Sequence, residues 1–170
     1  MRRSDFFLVY FLLTVAQILI CNYFHLTPYV TVSLLPVMVL CLPTRISTTG
    51  ALFIAFVTGL AVDFLAEGLL GLNTLALLPV AFLRLPLIKL IFGEDLLSRG
   101  EDFTVRKNGI GTVTLAILIV QSLFLLLYIW ADGAGTRPGW FNTLRFAASL
   151  AAGYLVALMV IDALASDSRK

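Results

Sequence analysis

The chain alternates long apolar runs with short polar breaks. Six runs reach the roughly 17–25 residues that a helix needs to cross about 30 Å of hydrocarbon: Phe6–Phe24, Leu26–Leu42, Thr48–Leu65, Leu70–Phe92, Ile110–Trp130 and Phe141–Leu164. None shows the short alternating segments of an outer-membrane strand. The first run is interrupted only by Thr14, Gln17 and Asn22. The second is the shortest and carries Pro28 and Pro36; as a helix it covers about 25 Å, with Pro28 suited to a first turn and Pro36 expected to kink the middle. A re-entrant hairpin is the alternative there. Ser47 or Thr48 is placed to cap the third run, and Pro79 and Pro86 lie in the fourth. The pattern predicts an all-α integral membrane protein, with six transmembrane helices in one domain covering residues 1–170.

Composition narrows the class. Hydrophobic residues make up 60% and charged residues 13%, about half the charged share of a soluble domain. That excludes a disordered chain, and the scarcity of Gly, Glu and Lys excludes collagen and coiled coil. Charge also sets direction. With the N-terminus inside and six crossings, ten of the twelve basic residues fall on the inner side, among them Arg45, Arg99, Arg106 and Lys107. Only Arg137 and Arg145 fall outside, so the positive-inside rule places both termini in the cytoplasm. A five-crossing chain puts the C-terminus outside, which these charges oppose. Tyr23, Tyr29, Tyr128, Trp130 and Trp140 sit at the predicted outer ends, where aromatic rings settle at a membrane–water interface. The Met-Arg-Arg-Ser start reads as an uncleaved first helix, not a signal peptide. Cys21 and Cys41 are expected at opposite depths, too far apart to bridge.

The densest information is in Gly59–Ala76. Ala51, Ala55, Gly59, Asp63 and Glu67 recur every four residues along one helical face. Three small residues followed by two carboxylates make a groove for a neighbouring backbone, with Gly68 and Gly71 turning the chain into the fourth run. A carboxylate inside a span marks function or a structural partner. For Asp63 the structural reading is a clamp onto Asn73 or onto backbone N–H groups at the start of the fourth helix. A proton or ion relay is the alternative, but such relays use several ionisable groups in one cavity. Arg84 lies deep in its run, either snorkelling to the cytoplasmic headgroups or paired with Asp162. In the sixth run the pairs Ala147/Ala151, Ala148/Ala152 and Ser149/Gly153 predict a tightly packed face. Gln121 and Ser122 are placed to bond across helices. The 93–108 loop is the longest polar stretch, with Leu96, Leu97 and Phe103 among charges suggesting a short amphipathic piece.

No catalytic set appears. His25 is the only histidine, and there is no phosphate loop, nucleophile elbow, CxxC or long basic run. The reading is of a non-enzyme with no metal, no cofactor and no nucleic-acid partner.

The six-run layout, with Gly59-x3-Asp63-x7-Gly71-x-Asn73-x-Leu75, resembles the bacterial rod-shape-determining MreD family, and Ala81-Phe82-Leu83-Arg84 resembles it as well. The resemblance implies a multi-pass inner-membrane component of the cell-elongation complex, similar in fold to the S-components of energy-coupling-factor transporters. It implies binding to MreC and a link between the MreB filament and the peptidoglycan synthases RodA and PBP2. On that reading Gly59, Asp63, Gly71, Asn73 and Arg84 serve the fold or partner docking, and neither cofactor nor small-molecule ligand is expected. The alternative function is an S-component that binds a vitamin. Those proteins typically carry an Ala-x-x-x-Ala docking pair on the first helix, where this chain has only Ala16.

Overall fold

The computed structural model describes residues 3–23, 30–93, 109–133 and 136–166. Helix α1 is Arg3–Tyr23, α2 is Leu35–Leu40, α3 is Thr48–Val62, α4 is Leu72–Phe92, α5 is Ile110–Gly133 and α6 is Gly139–Ser166. Ser47 caps α3, its hydroxyl accepting from the Gly50 N–H at 3.2 Å. Past Val62, α3 widens into one π-helical turn, Asp63–Glu67. Pro79 and Pro86 are accommodated inside α4.

Five helices are long and apolar enough to cross a membrane: Phe6–Tyr23, Thr48–Ala66, Leu72–Phe92, Ile110–Gly133 and Gly139–Ile161. Their outward faces carry large apolar side chains such as Phe11, Phe53, Leu90, Leu126 and Met159. A surface this apolar, on helices of that length, is that of an all-α multi-pass membrane protein.

The second run departs from the expected span. Residues 26–29, Pro28 among them, lie outside the described residues; of the rest, 31–34 are non-helical and regular helix is confined to the six residues of α2. Proline explains both limits. Pro36 stands in the first turn of α2, where it begins a helix instead of kinking one. Pro43 restricts the residue before it and discourages helix beyond Cys41.

This short helix occupies the middle of the molecule. The π-turned α3 packs along α4, α4 along α5 and α5 along α6, while α1 leans on α3 and on the π-helical turn. Each of these five helices also touches α2. Residues 34–42 are buried throughout, Cys41 the least so, and Leu35, Val37, Met38 and Val39 are wholly enclosed. Leu-Pro-Val-Met-Val-Leu is apolar on every side, the composition of a segment buried all round. A lipid-facing helix and a protein-enclosed one therefore read alike in sequence.

Candidate functional site

The α3–α4 hairpin carries the first polar constellation. Ala51, Ala55, Gly59 and Asp63 lie on the face that α3 turns to α4, and all four are buried. Gly59 permits the approach: a Cβ there would stand 2.8 Å from the Thr74 Cα, a backbone atom with nowhere to go. The groove that the small residues form is thus filled by the chain's own fourth helix.

Asp63 sits where that groove ends, fully buried. Its Oδ1 accepts from the Asn73 backbone N–H at 2.7 Å and the Asn73 side-chain amide at 3.0 Å. Its Oδ2 accepts from the Gly71 N–H at 3.0 Å, the Thr74 N–H at 3.1 Å and the Thr74 hydroxyl at 2.7 Å. Five donors engage a carboxylate with about four lone-pair sites. Three are backbone N–H groups at the start of α4, which have no carbonyl partner within their own helix. Gly71 reaches its place with φ +99°, a conformation that strains any L side chain. The π-helical turn closes with the Gly68 N–H donating to the Asp63 carbonyl at 2.9 Å. Both polar ends of Asp63 thereby hold the hairpin. The Glu67 side chain lies outside the described residues.

Gly59, Asp63, Gly71 and Asn73 are thus brought together, and Arg84 is not: it stands about 16 Å further along α4. Arg84 does not snorkel. It is among the largest fully enclosed side chains in the molecule. Its Nε donates to the Leu40 carbonyl at 3.3 Å and its Nη2 to the Leu42 carbonyl. These carbonyls end α2 and have no intrahelical donor, and a cation suits a helix C-terminus. The Asp162 side chain, the other expected partner, lies outside the described residues, as do 94–108 of the polar loop.

At the opposite end of α2, the non-helical residues 31–34 receive a second group of buried polar side chains. Gln17 on α1 does two jobs: its Oε1 accepts from the Leu34 N–H at 2.8 Å, and its Nε2 donates to the Val32 carbonyl at 3.3 Å. Ser149 on α6 accepts from the Thr31 N–H at 2.8 Å. Gln121 on α5 donates to the Ser33 carbonyl at 3.4 Å. Arg145 on α6 donates from Nε and Nη2 to the Thr31 hydroxyl at 3.2 and 2.9 Å, and pairs with Asp132 through Nη1. Non-helical backbone is tolerated at membrane depth only where protein satisfies its polar groups. Here three helices, α1, α5 and α6, supply the partners.

Sequence reasoning picked out Gln121 and Ser149 but missed what Gln17 and Arg145 do. Gln17 registered only as a break, and Arg145 only as an outside charge. Arg145 carried a usable signal, because it lies seven residues into α6 and opposite an acid, Asp132, in the preceding helix. The small pairs of α6 separate by face. Ser149 and Gly153 are buried, Gly153 lying tight against the Gln121 amide, whereas Ala147 and Ala151 are exposed.

Most of these donors and acceptors meet backbone, the others meet neighbouring side chains, and among the described residues no three His, Cys, Asp or Glu side chains gather into a metal-binding group. No family model matches the chain, and comparison with curated proteins and with solved structures likewise finds no match.

Proposed function

We propose that the protein is a non-catalytic, MreD-like component of the bacterial cell-elongation complex. In this reading it lies in the inner membrane with both termini cytoplasmic, binds an MreC-like protein, and helps link the MreB filament to RodA and PBP2. The observation that carries the reading is the Gly59–Asp63–Gly71–Asn73 hairpin. The residues that make the chain resemble the family are the same ones that bond to one another, with Gly59 set against the Thr74 backbone. A scaffold needs closely packed helices and outward faces for docking, and the bonded α3–α4 hairpin and the exposed apolar helix faces fit that need.

The path of the central segment supports a reading of six passages. It starts beside Arg145 at the α5–α6 turn and ends beside Arg84, about 20 Å of chain counted as extended and then helical residues. Added to five long helices, it returns the chain to the side on which it began, as the distribution of basic residues favours.

Depletion in a rod-shaped host, combined with affinity capture from native membranes, tests the proposal. The expected result is rounding of the cells and recovery of an MreC-like protein. Cells that stay rod-shaped under depletion refute it, and copurification of a vitamin at nanomolar affinity would move the protein to the S-component class.

A further inference from the structure

Arg137 and Arg145 stand together at the turn between α5 and α6. Both address one oxygen: Asp132 Oδ2 lies 3.0 Å from the Arg137 Nη1 and pairs with the Arg145 Nη1 as well. One carboxylate against two guanidiniums leaves a positive charge uncompensated within the cluster. Arg145 is buried, held by Thr31, with its guanidinium 5.7 Å from the Tyr128 ring centre.

Arg137 is different. Its side chain is 39% exposed, and its guanidinium lies 5.6 Å from the Phe141 ring centre. Among the described residues Asp132 is its only ionic partner, met by Nη1. The planar guanidinium fork matches phosphate oxygens. Trp140, three residues further on, is exposed.

An apolar track leads away from this point. Trp140, Leu144, Ala147, Ala151 and Leu155 are all exposed and follow one face of α6 along its length. The two alanines make a shallow trough between larger side chains. A positive fork at a helix end, an interfacial Trp and a trough running to membrane depth together match one ligand: a headgroup phosphate above an acyl chain. A free anion has no use for the trough.

We propose that Arg137 and Trp140 bind the phosphate of an anionic phospholipid whose acyl chain lies along Ala147 and Ala151. The proposal requires only that the chain is membrane-embedded and is independent of any role in cell shape.

The test is native mass spectrometry of the full chain, released from neutral detergent after mixing with phosphatidylglycerol, phosphatidylcholine or inorganic phosphate. Phosphatidylglycerol is expected to be retained about fivefold over phosphatidylcholine, the size of one basic residue's attraction to anionic lipid. Arg137→Gln removes that preference, Arg137→Lys keeps part of it, and Arg45→Gln, at the start of α3, leaves it whole. If Arg137→Gln does not fold, Trp140→Ser serves instead, with the Asp132–Arg145 pair intact and reduced phosphatidylglycerol retention expected. Equal retention of the two lipids by the unaltered chain overturns the proposal. So does an unchanged preference in the folded variant, or displacement of phosphatidylglycerol by inorganic phosphate, which makes the site one for a free anion. Failure to stay in detergent micelles at all would instead count against membrane embedding.

Discussion

Replacing Asp63 separates a clamp from a site that needs charge. Asp63→Leu leaves five donors without an acceptor, three of them backbone N–H groups of α4. Hydrogen bonds between membrane helices average about 0.6 kcal/mol, which over five bonds gives about 3 kcal/mol. Breaking a buried charged network costs about 3–5 kcal/mol, so the two estimates agree on a loss at the lower end of that range. Asp63→Asn is milder. Its amide oxygen, placed at Oδ1, keeps both bonds to Asn73, and the Thr74 hydroxyl can rotate to accept from the new NH2 group. Two backbone donors, Gly71 and Thr74, lose their partner at about 1 kcal/mol each. The expected order is therefore wild type, then Asp63→Asn about 2 kcal/mol lower, then Asp63→Leu lower again. Equilibrium unfolding in mixed micelles of neutral and anionic detergent, followed by tryptophan fluorescence, measures the order. Function in a depletion strain should follow the same ranking. Equal destabilisation by the two substitutions refutes the acceptor geometry. A stable Asp63→Asn protein as inactive as Asp63→Leu refutes the clamp as the residue's purpose and points to its charge.

Gly59→Ala drives a Cβ into the Thr74 backbone at 2.8 Å; it should part α3 from α4 and cost about 1–3 kcal/mol, read as a lower midpoint in the same unfolding assay. Arg84→Met retains volume but removes the donors to the Leu40 and Leu42 carbonyls; the prediction is a loss of about 1–3 kcal/mol, with faster hydrogen exchange at α2 than at α3 by mass spectrometry. Asp132→Asn and Arg145→Gln should be non-additive in a double-mutant cycle, and Asp132→Asn should cost more, because it leaves the buried Arg145 without its acid, whereas Arg137 still pairs with Asp132 when Arg145 is changed. Gln121→Leu should be better tolerated than Gln17→Leu in thermal denaturation, since Gln121 makes one long bond to the central segment and Gln17 makes two.

The long helices were legible because each repeats a simple physical demand, an apolar stretch of bilayer length. The Asp63 clamp was legible for a related reason. It is local in sequence, with donors eight to eleven residues away across a tight turn, so helix period and end chemistry suffice to bring them together. Arg84 was misjudged in the snorkelling reading because depth alone does not reveal what lies beside a side chain. Its acceptors are carbonyls of Leu40 and Leu42, more than forty residues earlier, and any residue type can offer a carbonyl. The same holds for Thr31 and Arg145, separated by 114 positions.

These cases share a cause that bears on how the fold is encoded. Val32, Ser33, Leu40 and Leu42 meet their polar partners through backbone carbonyls. The side chains that specify the path of the central segment therefore belong to other helices: Gln17 on α1, Arg84 on α4, Gln121 on α5, and Arg145 and Ser149 on α6. Within the segment, Pro36 and Pro43 limit helix, but nothing local dictates where the non-helical part should lie. Apolar exchanges of similar volume at Leu40 or Leu42 preserve the carbonyl and should be absorbed by packing. A change at Arg84 strands two carbonyls in a region without water, which is the source of the loss of about 1–3 kcal/mol expected for Arg84→Met. A short broken helix at the centre of a membrane bundle is thus written in the helices around it, which is why the 26–42 stretch, read by itself, looks like one more ordinary span.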